Sequence, residues 1–348
     1  MKKLSTMLLS GLTTTLLLTG CGGGGGGSTT TTTTTSTKAT YTGAATAGDF
    51  ANYSVESDGT NFKIKYSVKG KVFGDKSGEI DVQNMYENVF FKDAYNDYYF
   101  ISGSLGMAKV KFDTATAYVV GLNIPQTAIT ADVLSNVVNK TYNIADLDSD
   151  TGAFSLKLLD VNTTDVNSLS GTWTLHEVTG DISGTWKVNN NYIEFYNSNN
   201  ELEANVVLKP GESRSGIIID KVDGGFAIGL EAKPITETEI GTSTFYYFDQ
   251  TSSYSCFGKV DVNGVNFTYS DTWCEDGARD IDVSGTLKLN PQIDPDNDPS
   301  TDNNVTLNGL AKVDGANIYI FYDAKDGYYI KINLDQYEFS LGSNKPLQ

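Results

Sequence analysis

Val260-Asp-Val-Asn-Gly-Val-Asn-Phe-Thr-Tyr269 carries apolar residues at alternate positions on either side of an Asn-Gly pair. Period-two alternation puts successive side chains on opposite faces of a strand, and Asn-Gly supplies the backbone angles of a two-residue hairpin. With Asn263-Gly264 as the turn, Val262 faces Val265 and Val260 faces Phe267, so every apolar residue lands on one face. The rhythm recurs from Ala39 onward. Phe62, Ile64, Tyr66 and Val68 alternate with Lys63, Lys65 and Ser67. Ile318, Ile320 and Tyr322, then Tyr328, Ile330, Ile332 and Leu334, flank the turn residues Asp323 to Gly327. Helical spacing is scarce: Thr130 to Val138 is the one segment that could start at a Thr cap and run two turns. The expected class is all-β, in antiparallel barrels or two-sheet sandwiches, since lone strand edges invite aggregation.

The pattern is duplicated. Asp181-Ile-Ser-Gly-Thr-Trp-Lys-Val188 matches Asp282-Val-Ser-Gly-Thr-Leu-Lys-Leu289 at five of eight positions, 101 residues apart. Asp160-Val-Asn162 matches Asp261-Val-Asn263 at the same spacing, and Thr172-Trp173 matches Thr272-Trp273 at 100. Upstream, Val120-Gly-Leu122 parallels Ile228-Gly-Leu230, and Thr141-Tyr142 parallels Thr244-Phe245. Preserved order points to repeated units of roughly 100 residues. The expected division is a first β domain over 39–180 and a second over 181–348, splitting near Thr179-Gly180, with an acidic insertion at 291–304. One continuous β structure whose repeats share sheets is the competing picture.

Composition narrows the chemistry. The 348 residues include 43 Asp and Glu against 25 Lys and Arg, one His and three Cys, for a net charge of -18. An acidic surface repels phosphate backbones, so nucleic acid is not an expected partner. His176 is the sole imidazole, which leaves a Ser-His-carboxylate triad one candidate base and no nucleophile motif. Carboxylate pairs are guaranteed by number and carry no information about glycoside hydrolysis. No phosphate loop, haem motif or zinc spacing occurs.

The first 20 residues start with Lys2 and Lys3 and continue through Leu4, Leu8, Leu9, Leu12, Leu16, Leu17 and Leu18, the parts of a secretory signal. The apolar stretch is too short to span a bilayer comfortably. Leu18-Thr19-Gly20-Cys21 resembles the lipobox of bacterial lipoproteins. The resemblance implies that Cys21 is acylated and becomes the first residue, anchoring the chain to a membrane. Gly22 in place of an aspartate implies, in that family, the outer membrane. Gly22 to Gly27 and the Thr-rich Ser28 to Thr37 bury no apolar area, so 21–38 reads as a flexible tether reaching roughly 25 Å. Such a tether after the lipidated cysteine is similar to surface lipoproteins such as transferrin-binding and factor H-binding proteins. None of their body motifs is present, and their ligands are not carried over.

Three groups of residues remain as candidates. Cys256 and Cys274 are expected to pair in an oxidising compartment, which stabilises by roughly 3 kcal/mol through loop closure. In the simple hairpin Cys256 falls opposite Asp271, so pairing requires the ladder to end or bulge around Asp271-Thr-Trp273. Asp294, Asp296, Asp298 and Asp302 stand at positions 1, 3, 5 and 9 of a calcium-type loop, with Pro299 where the EF-hand needs glycine and Val305 where its glutamate belongs. Asp146-Leu-Asp-Ser-Asp150 is a weaker echo. For both, the alternative is a solvated acidic loop. Trp173, Trp186 and Trp273, with Phe245-Tyr-Tyr-Phe248 and Tyr98-Tyr-Phe100, line either a carbohydrate platform or β core; the adjacent rings occupy both faces of a strand, so half should be exposed or interfacial.

The expectation is a lipid-anchored outer-membrane protein, on the periplasmic or extracellular side, that binds a host protein, a glycan or an envelope component without transforming it. No cofactor is expected beyond Ca2+ at the acidic loop. A lipocalin-like carrier of an apolar molecule and a glycan-active hydrolase are the alternatives.

Overall fold

In the computed structural model, the described residues are 37–45, 49–57, 61–70, 74–111, 116–148, 153–177, 180–250, 254–293, 305–336 and 338–347. The signal segment, Cys21, most of the tether and the acidic positions Asp294, Asp296, Asp298 and Asp302 lie outside them. Among the described residues no helix is long and apolar enough to cross a membrane.

Most of the described residues are in strands, arranged as three closed antiparallel barrels of eight strands each. Barrel 1 holds β1 (Thr37–Ala45), β2 (Phe50–Ser57), β3 (Phe62–Lys69), β4 (Lys76–Tyr86), β5 (Phe90–Asp93), β6 (Tyr98–Ile101), β7 (Leu105–Lys111) and β8 (Thr116–Asn123). Barrel 2 holds β9 (Lys140–Leu147), β10 (Phe154–Asn162), β11 (Ser170–His176), β12 (Ile182–Asn189), β13 (Tyr192–Tyr196), β14 (Leu202–Lys209), β15 (Gly216–Lys221) and β16 (Phe226–Glu231). Barrel 3 holds β17 (Thr242–Gln250), β18 (Ser255–Asn263), β19 (Asn266–Cys274) and β20 (Val283–Leu289), then β23 (Leu310–Val313), β24 (Ile318–Asp323), β25 (Tyr328–Asn333) and β26 (Glu338–Ser343). A small ribbon, β21 (Gln292–Ile293) with β22 (Val305–Thr306), flanks the acidic insertion. Within each barrel every strand pairs with its successor and the last closes on the first, which removes all edges.

The described residues form three barrels where the repeat suggested two units. The expected boundary at Thr179-Gly180 falls between β11 and β12, inside barrel 2. The strongest sequence match joins β12 to β20, each the fourth strand of its barrel, so it reports the period but not where a unit starts. Barrel 1 shares less. Its first-strand Tyr41 corresponds to Tyr142 and Phe245, all fully buried, and its last-strand Gly121 corresponds to Gly229 and Gly342. The match of Trp173 to Trp273 is out of register. Trp173 lies across Gly184, and in barrel 3 it is Phe267 that lies across the corresponding Gly285.

Each connection between barrels carries a short Thr-capped helix. α1 (Ala131–Ser135) is capped by Thr130, whose side chain accepts from the Val133 amide, and α2 (Glu237–Ile240) starts with a Thr236/Glu239 capping box. Leu134 and Ile240 from these turns join the interiors of barrels 2 and 3 and plug one end of each.

The barrels pack on a shared core made from outward-facing residues. Val120, Leu122, Val207, Ile218, Phe248, Ile330 and Leu341 all belong to it. β1 and β8 lie against β14 and β15, while β6 and β7 lie against β17 and β26. Central strands are thus buried on both faces, which accounts for the unbroken apolar runs. Tyr98 packs on Trp273 with ring centroids 4.2 Å apart and Phe90 on Phe257 at 4.4 Å, across barrels 1 and 3. The runs are interfacial, but the interface is internal to the chain.

The opening hairpin also shifts. Its turn is Gly264-Val265, with Gly264 at φ +58° in the first turn position, so Val262 pairs with Phe267 and Val260 with Tyr269. Glycine at the first central residue suits a type II′ turn, whose twist matches that of the strands. The apolar residues still share one face, directed into barrel 3.

Candidate functional site

Two polar regions stand out: a groove outside barrel 2 and a charged cluster inside barrel 3. The groove is built on a doubled tetrapeptide, Ser170-Gly-Thr-Trp173 and Ser183-Gly-Thr-Trp186. β11 and β12 align the two copies antiparallel, so Gly171 pairs with Trp186, Trp173 with Gly184, and Thr172 with Thr185 at the centre. Each tryptophan turns inward and lies over the glycine opposite; a Cβ on Gly171 would come within 2.7 Å of the Trp186 ring. The threonines are left facing out.

Trp186 donates its indole N–H to the carbonyls of Asn162 (3.0 Å) and Thr172 (3.1 Å), and Trp173 to that of Tyr196 (3.1 Å). These bonds fix the groove floor but leave the rings almost wholly buried. Trp173 and Trp186 are therefore core supports and not the exposed carbohydrate platform that their residue type suggests. Above them is a hollow of about 640 Å³ whose lining includes Asn162, Thr172, Thr185, Lys187, Tyr196 and Asn200. A second, of about 510 Å³, adjoins it at Thr172, Thr185 and Asn200.

The rim is tied down. Thr163 donates to the Ser170 carbonyl at 2.7 Å, and its amide donates to Asn139 Oδ1 at 2.8 Å. Lys187 Nζ sits 4.5 Å from the Tyr196 ring centroid and 3.5 Å from Glu194. Among the described residues that line the two hollows, Lys187 is the single charged one and none is acidic. In a chain with 43 Asp and Glu this is a segregated surface of hydroxyls and amides. Such a surface suits a neutral ligand that exchanges hydrogen bonds. The sequence reading missed it because Thr, Ser and Asn in strands look like ordinary β positions; the doubled Ser-Gly-Thr-Trp was the available signal.

His176 projects between two carboxylates, Nδ1 lying 3.0 Å from Asp181 and Nε2 3.1 Å from Asp160. The hydrogen bond with Asp160, then that with Asp181, raises its pKa above the ordinary value. Both ring nitrogens are thereby engaged by carboxylates. Asp146, from the weaker calcium echo, directs its oxygens to Lys157 (2.7 Å) and Lys221 (2.9 Å), so it is an ion-pair acceptor.

The cluster in barrel 3 occupies the end opposite α2. Asp249, Lys331 and Ser340 lie side by side on β17, β25 and β26, with Ser340 in the middle. They continue the inward-facing series of Tyr247 and Tyr329. Lys331 Nζ is 2.5 Å from Glu338 Oε1 and 3.4 Å from Asp249 Oδ1, and Ser340 donates to Asp249 Oδ1. The Tyr269 ring lies 5.2 Å from the ammonium. Burial pushes the Asp249 carboxyl up; burial also disfavours the Lys331 cation, yet its two carboxylates hold its pKa well above the usual range.

Next to Asp249, Cys256 and Cys274 are opposed across β18 and β19 with their sulfurs at bonding distance, 1.98 Å. The ladder slips between Phe257 and Gly258, leaving Thr272 unpaired, and that bulge brings Cys274 opposite Cys256. Asp271 completes a Cys-Asp-Cys group, but it accepts from the Tyr247 hydroxyl (2.6 Å) and the Asp280 amide (2.9 Å) while both sulfurs are bonded to each other.

No protein-family model and no curated protein matches the chain. Among solved structures, the DNA polymerase III subunit beta from Pseudomonas aeruginosa aligns with 92% of this chain and 94% of its own at 6% identity and a TM-score of 0.11, a likeness that carries no argument.

Proposed function

We propose that the protein is a lipid-anchored outer-membrane recognition protein, and that the barrel 2 groove binds a neutral, hydroxyl-rich ligand of the glycan class. The carboxylate-free lining of that groove, in a strongly acidic chain, carries the reading. Side-chain hydroxyls and amides match sugar hydroxyls as donors and acceptors, and the tied rim limits the ordering entropy lost on binding. Binding is favoured over hydrolysis because the groove lining offers no pair of carboxyl groups. It is favoured over carriage of an apolar molecule because large side chains such as Tyr53, Trp186 and Tyr247 occupy the barrel interiors. Cys21 and the tether would hold the groove away from the membrane while keeping it at the envelope.

A glycan array probed with the purified protein should give hits among neutral oligosaccharides, and Thr185→Arg, which fills the groove, should abolish them. Retention of the same hits by Thr185→Arg would refute the assignment. For the anchor, Cys21→Ala should move the protein out of the membrane fraction, and its persistence there would refute that part.

A further inference from the structure

Lys331, Asp249 and Glu338 put one ammonium between two carboxylates inside a barrel end where Lys331 is 9% exposed, Asp249 4% and Ser340 not at all. Fully ionised, the trio is a buried excess of negative charge, and desolvation of three ions is not repaid by one short ion pair. Taking up a proton at Asp249 removes the excess negative charge and puts a carboxylic acid beside the Lys331–Glu338 pair, and proton transfer across the 2.5 Å contact to Glu338 frees the amine at the moment of reaction. The strand pairing holds amine and acid on either side of Ser340, so their encounter requires no diffusion.

We propose that Lys331 and Asp249 condense to an intramolecular isopeptide bond, with Glu338 as the proton carrier. The Nζ lone pair attacks Cγ of protonated Asp249 while Ser340 holds its Oδ1. Glu338, holding the proton it received from Lys331, delivers it to the departing hydroxyl and takes another from the nitrogen. The Cγ–O bond breaks as the C–N bond is completed, and one water leaves. No oxidant, metal or cofactor enters the balance. The bond joins β17 to β25 across β26, beside the Cys256–Cys274 link that joins β18 to β19, so one end of barrel 3 is covalently laced.

Intact-mass measurement on the full mature chain, reduced to open the disulfide, decides the matter. The expected mass is lighter than that of the otherwise identical unlinked chain by one water. A tryptic digest should contain a branched peptide joining the Asp249 and Lys331 segments, with no cleavage after Lys331. Glu338→Gln, checked for folding by circular dichroism, should restore the missing water, as should Lys331→Arg. A wild-type mass with no deficit, together with linear peptides cut after Lys331, would show a plain ion pair and overturn the proposal. A water deficit that survives Glu338→Gln would overturn the role given to Glu338.

Discussion

Asp146 in barrel 2 and Asp249 in barrel 3 occupy corresponding places on the first strand of their barrels, four residues beyond Tyr142 and Phe245, yet they meet opposite surroundings. Asp146 faces two lysines, Lys157 and Lys221, and Lys157 also reaches Glu177 at 2.6 Å, so cations and anions balance. Asp249 shares a single lysine with Glu338. The lysines of barrel 2 are 22% and 27% exposed at their side chains; Lys331 is 11% exposed. One backbone position thus supports a wet, charge-balanced network in one barrel and a dry, acid-rich cluster in the other. Duplicated scaffolds keep the strand positions and let charge balance and water access decide what the side chains do.

Buried carboxylates give the sharpest way to test that contrast. Asp220 on β15 has Asn205 as its hydrogen-bond partner and no lysine within ion-pair reach among the described residues; burial pushes it up to about 8. Because its folded pKa is raised, its contribution to stability is fully present below about pH 4 and is lost as pH rises through about 8, at about 1.4 kcal/mol for each pH unit in between. Urea melts from pH 4 to 8 should show this slope, and Asp220→Asn should flatten it; an unchanged slope would mean that burial does not govern the group.

Lys331→Met, which removes the amine of the proposed link and strands two carboxylates, should cost at least about 3–5 kcal/mol, whereas Lys221→Met, which leaves Lys157 beside Asp146, should cost under about 1 kcal/mol. Equal shifts in denaturation midpoint would break the comparison. Replacing Cys256 and Cys274 by serine should lose roughly 3 kcal/mol of loop-closure stabilisation, read as faster amide exchange in β18 and β19 than in β10 and β11. The smallest effect belongs to His176. Its raised pKa adds stability below about pH 6.5 that fades as pH rises through the folded value, and at a partly exposed site this stays within about 1 kcal/mol, visible as a pH-dependent difference from His176→Gln.

Much of the fold was legible because period-two alternation and the Asp-x-Ser-Gly-Thr repeat survive in single residues. What escaped depends on contacts between distant strands. The third unit was missed since barrel 1 retains little of the repeat beyond positions such as Tyr41 and Gly121. The hairpin register slipped because Asn263-Gly264 and Gly264-Val265 are both workable turns, and the shift is decided by where Gly264 takes its positive φ. For Phe245 to Phe248 the choice between exposed and interfacial rings stayed open because no local signal says that a second barrel covers the outer face. Asp249 and Lys331 are far apart in sequence, and only closure of β17 onto β26 and β25 makes them neighbours.

The proposed function places recognition on the outer face of barrel 2 and leaves the polar end of barrel 3 sealed. Hydrogen–deuterium exchange with and without a neutral oligosaccharide identified on the array tests it most directly. Protection confined to β11 to β13 and the 163–170 rim, with barrel 3 unchanged, is the predicted result. Protection centred on barrel 3, or spread evenly over all three barrels, would contradict it.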